Sequence, residues 1–306
     1  MRFHPIFFLP LLLAAQVAQE SWMQPIEALI RAGDLTQAHQ RLDRETAARG
    51  ETRGGLYLQA KILFEERRYA DSLQAVQRSM AMGSADPEVY KLAALSAIRM
   101  DRLDIAEPAL QTAARLSPGD YLVHFHLGAL YYTKSLFLAA RPELEKATQL
   151  NPRYMPALLF LGLTLEEVGD EKTAVAIYRR AMEVTATDGG GKELPYLYLG
   201  RFYYRLNRLE DGLPLLEKAA EINPRSGEAQ LQLGKMLHAM KHDSEAVDAL
   251  ERSVAANSQD PEPHYVLCRI LEAQGRAQAA QEELKRFREL SKQQPAHDAA
   301  RRRLGR

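Results

Sequence analysis

Residues 121–152 read YLVHFHLGALYYTKSLFLAARPELEKATQLNP, and this stretch decides the fold. Gly128 is followed by Ala140, Leu144 and Ala147 at steps of twelve, four and three, and Leu150-Asn151-Pro152 ends the run. Steps of three and four set residues on one face of a helix. A Pro stops a helix and forces the residue before it out of the helical region. The stretch therefore reads as helix, turn, helix, stop.

The pattern recurs along the chain. Gly128, Gly162, Gly200 and Gly234 are 34, 38 and 34 residues apart, and stepping back by 34 reaches Ala94 and Ala60. Twelve residues beyond each, and beyond Cys268 one period on, stands a second small residue: Ser72, Ala106, Ala140, Ala174, Gly212, Ala246 and Ala280. A large apolar residue follows four later in every case, as Val76, Leu110, Leu144, Tyr178, Leu216, Leu250 and Leu284. The stop recurs in Leu116-Ser117-Pro118 and Ile222-Asn223-Pro224. Two antiparallel helices come close only where their contact point lacks bulk, and large side chains three or four residues away then interlock around it. A fixed period of this length means stacked units that bury their apolar faces against their neighbours.

In the quoted stretch, Leu127, Gly128, Tyr131, Ala140, Leu144, Ala147 and Pro152 stand at the spacing W-x2-L-G-x2-Y, A-x3-F, P, with His124 where Trp often stands. The chain resembles the tetratricopeptide-repeat family on these residues. The resemblance implies an all-α, right-handed superhelical solenoid of about eight helix-turn-helix repeats. It covers residues 19–294, with repeats starting at Gln19, Arg53, Pro87, Tyr121, Met155, Glu193, Gly227 and Pro261. The first repeat is atypical: Pro25 sits inside its first helix and Ile26 fills its small slot, as terminal capping units tolerate. Four extra residues around Thr187 to Lys192 break the phase and are expected to lengthen the loop between the fifth and sixth repeats.

The resemblance also implies where a partner lies, because in that family the first helix of each repeat lines the concave surface. Position 5 of the repeat gives Tyr57, Lys91, Phe125, Leu159, Leu197, Leu231 and Tyr265; position 12 gives Phe64, Ile98, Tyr132, Glu166, Tyr204, His238 and Glu272. Position 9 reads Lys61, Leu95, Ala129 and Leu163, then Arg201, Lys235 and Arg269 in three consecutive repeats, with Arg205 beside them. The expected peptide-binding groove is Tyr57, Lys61, Phe64, Phe125, Tyr132, Leu197, Arg201, Tyr204, Arg205, Leu231, Lys235 and Arg269. Its cations suit acidic side chains or a C-terminal carboxylate through charge-assisted hydrogen bonds. The open alternative is that they pair with Glu166, Glu228, Glu262 and Glu272. The Lys, Asn, Lys, Arg set of the family's two-carboxylate clamp is not found here.

Apolar residues make up 46% of the chain and charged residues 26%, and 40 Lys and Arg balance 40 Asp and Glu. The balance removes the field that draws proteins to nucleic acid, so none is expected as a partner. Asp188-Gly189-Gly190-Gly191-Lys192 lacks the spacing of a phosphate loop. His238 and His242 have no third ligand at metal spacing. Glu65-Glu66, Glu166-Glu167 and Glu282-Glu283 are not set to face each other across a substrate. Cys268, the one cysteine, takes a small slot and reads as a buried packing residue. No catalytic residue, cofactor, metal or small-molecule substrate is expected.

An apolar run from Ile6 to Ala15 follows a short charged start and is broken by Pro10. It is too short to cross about 30 Å of hydrocarbon comfortably, and small residues follow it, so residues 1–18 are expected to form an export signal cleaved after Ala18. A short uncleaved anchor is the alternative, because Gln16 is bulky for its place before that cut; only then would the chain hold to a membrane. Residues 295–306 form a short basic tail. The reading is an exported, periplasmic or secreted scaffold or adaptor that binds protein or peptide ligands, acidic segments among them. The alternative is an accessory or polymer-binding subunit of an envelope enzyme complex.

Overall fold

The computed structural model describes residues 21–83, 86–187 and 192–293. The expected export signal, the tail and residues 188–191 of the interrupting loop lie outside the described residues. Among the described residues the chain is all α, with sixteen helices and no strand. They run in pairs, one pair per repeat: α1 (Met23–Arg31) and α2 (Leu35–Arg49), α3 (Arg53–Glu65) and α4 (Tyr69–Ala81), α5 (Pro87–Arg99) and α6 (Leu103–Leu116), α7 (Tyr121–Thr133) and α8 (Phe137–Leu150), α9 (Met155–Glu167) and α10 (Glu171–Thr187), α11 (Leu194–Arg205) and α12 (Leu209–Ile222), α13 (Gly227–Ala239) and α14 (Asp243–Ala256), α15 (Glu262–Ala273) and α16 (Ala277–Gln293). This is a helical repeat solenoid. No described helix is long and apolar enough to cross a membrane.

The chain divides into two compact units, Met1–Leu130 and Tyr131–Arg306. In the first, each helix from α1 to α6 packs on the next, and the first helices α1, α3 and α5 abut in series. In the second, α8 to α16 do the same, and α9, α11, α13 and α15 abut in series. Each unit thus carries a wall built only of first helices.

Helix starts follow local chemistry. Asp34, Thr52, Asp86 and Ser226 accept hydrogen bonds from the first-turn amides of α2, α3, α5 and α13, which satisfies donors that have no partner inside the helix. Pro sits in the first turn of α5, α9, α11 and α15, where its missing N–H costs nothing.

The small slots mark the points of closest approach. A Cβ at Gly200 would lie 2.7 Å from Leu216 Cγ, and one at Gly234 2.6 Å from Leu250 Cγ. At Gly162 it would run into the ring of Tyr178. In each repeat the first-helix glycine is therefore filled by the large residue sixteen positions on, which is fully buried. The slot also explains its serines. Ser72 Oγ donates to Ala60 O at 2.8 Å, so a hydroxyl takes up the backbone acceptor that close packing exposes. Ser79 and Ser253, at one position of two repeats, donate to the first-residue carbonyls Arg53 O at 3.1 Å and Gly227 O at 2.8 Å.

A second period is conformational. Position 15 of all eight repeats has positive φ: Gly33, Arg67, Asp101, Ser135, Gly169, Asn207, Lys241 and Gly275. At each, the following amide bonds back five residues, as Asp170 N to Leu165 O at 2.9 Å and His242 N to Leu237 O at 2.9 Å. This bond caps the first helix and reverses the chain into the second. Glycine reaches the left-handed region freely, and five of the eight residues there are not glycine.

The extra residues between the fifth and sixth repeats do not only lengthen the loop. Helix α10 has 17 residues against 14 in α8, so it takes up part of the insertion. Thr187 stands at its end, where its Oγ1 shares its hydrogen between the carbonyls of Glu183 and Val184 at 3.2 and 3.0 Å, and Arg153 Nη2 donates to it at 3.1 Å.

Two outcomes follow for urea unfolding. Gly200→Leu and Gly234→Leu should each lose about 3 kcal/mol by overpacking, whereas Gly227→Ala, whose Cβ meets nothing nearer than 3.5 Å, should lose nothing. Lys241→Gly, at φ 67°, should gain about 1 kcal/mol by releasing left-handed strain, and Gly169→Ala, at φ 78°, should lose a similar amount. Equal stabilities across either set would contradict the packing described.

Candidate binding wall

The groove residues expected from sequence fall into three groups. Phe125, Tyr132, Leu197, Leu231 and Arg201 are buried. Tyr57, Lys61, Phe64, Tyr204 and Lys235 are half-buried, while Arg205 and Arg269 are exposed. The buried apolar members pack within the helix stack: Leu197 with Leu216 and Met236, and Leu231 with Leu250 and Val266. In the second unit position 5 is covered at Leu159, Leu197 and Leu231, where a further first helix abuts; at the last repeat the same position, Tyr265, is 46% exposed. The surface open to a partner is therefore narrower than the expected list.

In the first unit, Tyr57, Lys61 and Phe64 share helix α3. Lys61 Nζ sits 5.3 Å from the centre of the Tyr57 ring and donates to Glu27 at 3.4 Å. Phe64 meets Tyr69 edge to face at 5.3 Å between ring centres. Nearby, Lys91 bridges Glu88 at 2.6 Å and Asp120 at 2.7 Å. Burial, with the Lys91 charge, pushes His126 down to about 4, so this imidazole is neutral at physiological pH.

In the second unit, the expected row of cations is already engaged in part. Lys235 donates to Glu262 at 2.8 Å and lies 5.8 Å from the Tyr204 ring centre. Arg269 meets Glu272 at 3.4 Å on open helix surface, a contact of little worth in water. Arg205 Nη1 donates to Glu166 Oε2 at 2.6 Å. Glu166 is deeply buried, and Tyr178 donates to its other oxygen through a short hydrogen bond. Burial raises the Glu166 carboxyl, against the pull of Tyr178, Arg201 and Arg205.

Arg201 differs from the rest. It is 4% exposed, and its Nε and Nη2 have no hydrogen-bond partner. Its guanidinium lies over the Tyr198 ring, 5.0 Å from the centre. Its positive charge reaches Glu166, Glu228, Tyr132, Tyr178 and Tyr198. Burial pushes the Tyr132 hydroxyl up to about 12. Glu228 keeps part of its surface in water, yet desolvation by its neighbours raises it, with Gln232 Nε2 donating to it at 2.9 Å. Sequence reasoning found Arg201 but missed Tyr198. The signal was there, since three residues along a helix is the same face.

His238 pairs with Asp243 at 2.7 Å, and no group of three metal-ligating side chains occurs among the described residues. Cys268 is 2% exposed and packs with Leu271 and Ala280.

Family descriptions of the tetratricopeptide repeat match residues 26–87, 91–152, 156–188 and 203–267. An anaphase-promoting complex subunit of Saccharomyces cerevisiae is 26% identical over 137 residues, which is 42% of this chain and 16% of the relative. A BBSome complex member of Drosophila melanogaster is 24% identical over 191 residues, 59% of this chain and 38% of that protein. The chain thus spans less than half the length of these curated relatives. Among solved structures, the APC/C hetero-tetramer Cut9-Hcn1 aligns with a TM-score of 0.61 at 18% identity, over 80% of this chain and 48% of that one. The C-terminal part of a TPR repeat-containing protein from Cytophaga hutchinsonii aligns at 0.60 and 14% identity, over 80% and 98%. At such identities the structures share the fold, while the matched residues recur from the first repeat to the eighth: the chain belongs to the tetratricopeptide-repeat family.

Proposed function

We propose that this chain is a scaffold or adaptor that holds polypeptide against its wall of first helices, and that it does no chemistry of its own. The observation that carries the reading is the wall of α11, α13 and α15, where Tyr204, Arg205, Lys235 and Arg269 stand at or near the surface on helices that abut in series. The present partners of Lys235 and Arg269 are exchangeable. Lys235 and Arg269 bond to acids on the chain's own surface, Glu262 and Glu272, both at least half exposed, and a partner's acids can replace these without burying a bare charge. Names of relatives agree in kind, since both curated relatives are named as members of multiprotein complexes. The export reading belongs to the same proposal: cleavage after Ala18 would release the solenoid into the periplasm or medium, within an envelope assembly.

The test compares the full chain with a Lys235→Glu, Arg269→Glu variant in co-purification from envelope extract, with circular dichroism to verify the fold. Polypeptides held by the parent and lost by the variant, more weakly held as salt rises, are the expected result. An unchanged set, or enrichment of glycan in place of polypeptide, would overturn the wall assignment. Mass spectrometry of the exported form should find its N-terminus at Gln19; an intact chain in the membrane fraction would contradict export.

A further inference from the structure

We propose that the Nε and Nη2 edge of Arg201 is a seat for one carboxylate of the bound partner. This inference rests on the wall reading above. The two nitrogens that lack partners are not an arbitrary pair: Nε–H and one Nη2–H point the same way from the side of the planar guanidinium. Two parallel donors match the two oxygens of a carboxylate, which is the bidentate arrangement that sets Arg apart from Lys. The chain's own acids do not fill the edge. Glu166 has one oxygen bonded by Tyr178 and the other by Arg205. Glu228 accepts from Gln232. Both acids neutralise Arg201 through space without bonding to it.

A buried donor without a partner is costly, and here there are two on one charged group. Tyr198, half-buried, covers one face of the guanidinium and fixes its plane. Binding a carboxylate therefore completes an arrangement already held in place, which lowers the ordering cost of binding. The edge is shut from solvent in the chain alone. A ligand therefore reaches it only as the side chains that cover it turn aside.

The local charge selects the ligand class. With Glu166 and Glu228 both near Arg201, any incoming anion meets these two acids, so a carboxylate with one negative charge is favoured over a phosphate dianion with two. The carboxylate can come from an Asp or Glu side chain or from a chain terminus. Both sources share the chemistry and differ in the experiment.

The full chain, labelled with [15N]arginine, is titrated while the Nε–Hε spectrum is followed. The probes are N-acetylglutamic acid α-amide for a side-chain carboxylate, N-acetyl-leucine for a terminal one, N-acetylglutamine amide as the neutral control, and inorganic phosphate. The Arg201 peak is assigned by its loss in Arg201→Lys. Should that variant not fold, Tyr198→Leu assigns it, because removing the ring shifts the peak of the arginine stacked on it. A saturable downfield shift of this peak with one carboxylate, and none with the neutral probe, is the expected result, and the responding probe names the source. No shift with either carboxylate, or an equal response to phosphate, would overturn the seat. If the peak stays still while polypeptide is retained in co-purification, the seat falls and the wall stands. If the peak shifts but no polypeptide is retained, the seat stands and the wall reading falls.

Discussion

Everything in this fold depends on two helices touching where neither has a side chain to spare. At Gly162, Gly200 and Gly234 the backbone of the first helix lies directly against Tyr178, Leu216 and Leu250 of the second. That contact sets the distance within each pair, and interlocking large residues around it set the angle. Because each pair has the same geometry, the first helices of successive repeats come to lie side by side in each compact unit. The wall is a consequence of the slot. Stability in such a stack is a sum of neighbour contacts, which is why one repeat can carry an imperfect residue such as Ile26 without loss of the whole.

The same stacking decides which wall residues a partner can reach. A side chain at position 5 is open only until the next first helix covers it, so Leu197 and Leu231 become core and Tyr265 remains exposed. Position 9 splits by context: Lys235 and Arg269 end near water beside acids, while Arg201 is enclosed between Tyr198 and the buried Glu166 cluster. One slot, read three times in sequence, yields two electrostatic situations. A buried cation with free donors is the exception among them, and it is the feature that gives the wall a chemical preference.

Much of this was legible in the sequence because small residues leave few alternatives. Gly200 paired with Leu216 sixteen residues on specifies a helix contact regardless of what surrounds it. The turn at position 15 was not legible: Arg67, Asp101 and Lys241 adopt the left-handed conformation because the hydrogen bond closing the first helix and the packing beyond it demand it, against their own preference. The phase break at Thr187 was visible, but the extra residues read as loop, and part of them extends α10. Burial of Arg201 was hidden for another reason. Exposure of a wall residue depends on the helices of neighbouring repeats, which no pattern within one repeat records.

Hydrogen exchange of the full chain, with and without the polypeptide it retains, tests the central claim that the first helices form the binding surface. The account predicts added protection in α11 and α13, with the second helices α12 and α14 unchanged. Protection centred on α12 and α14, with α11 and α13 unaffected, would contradict it.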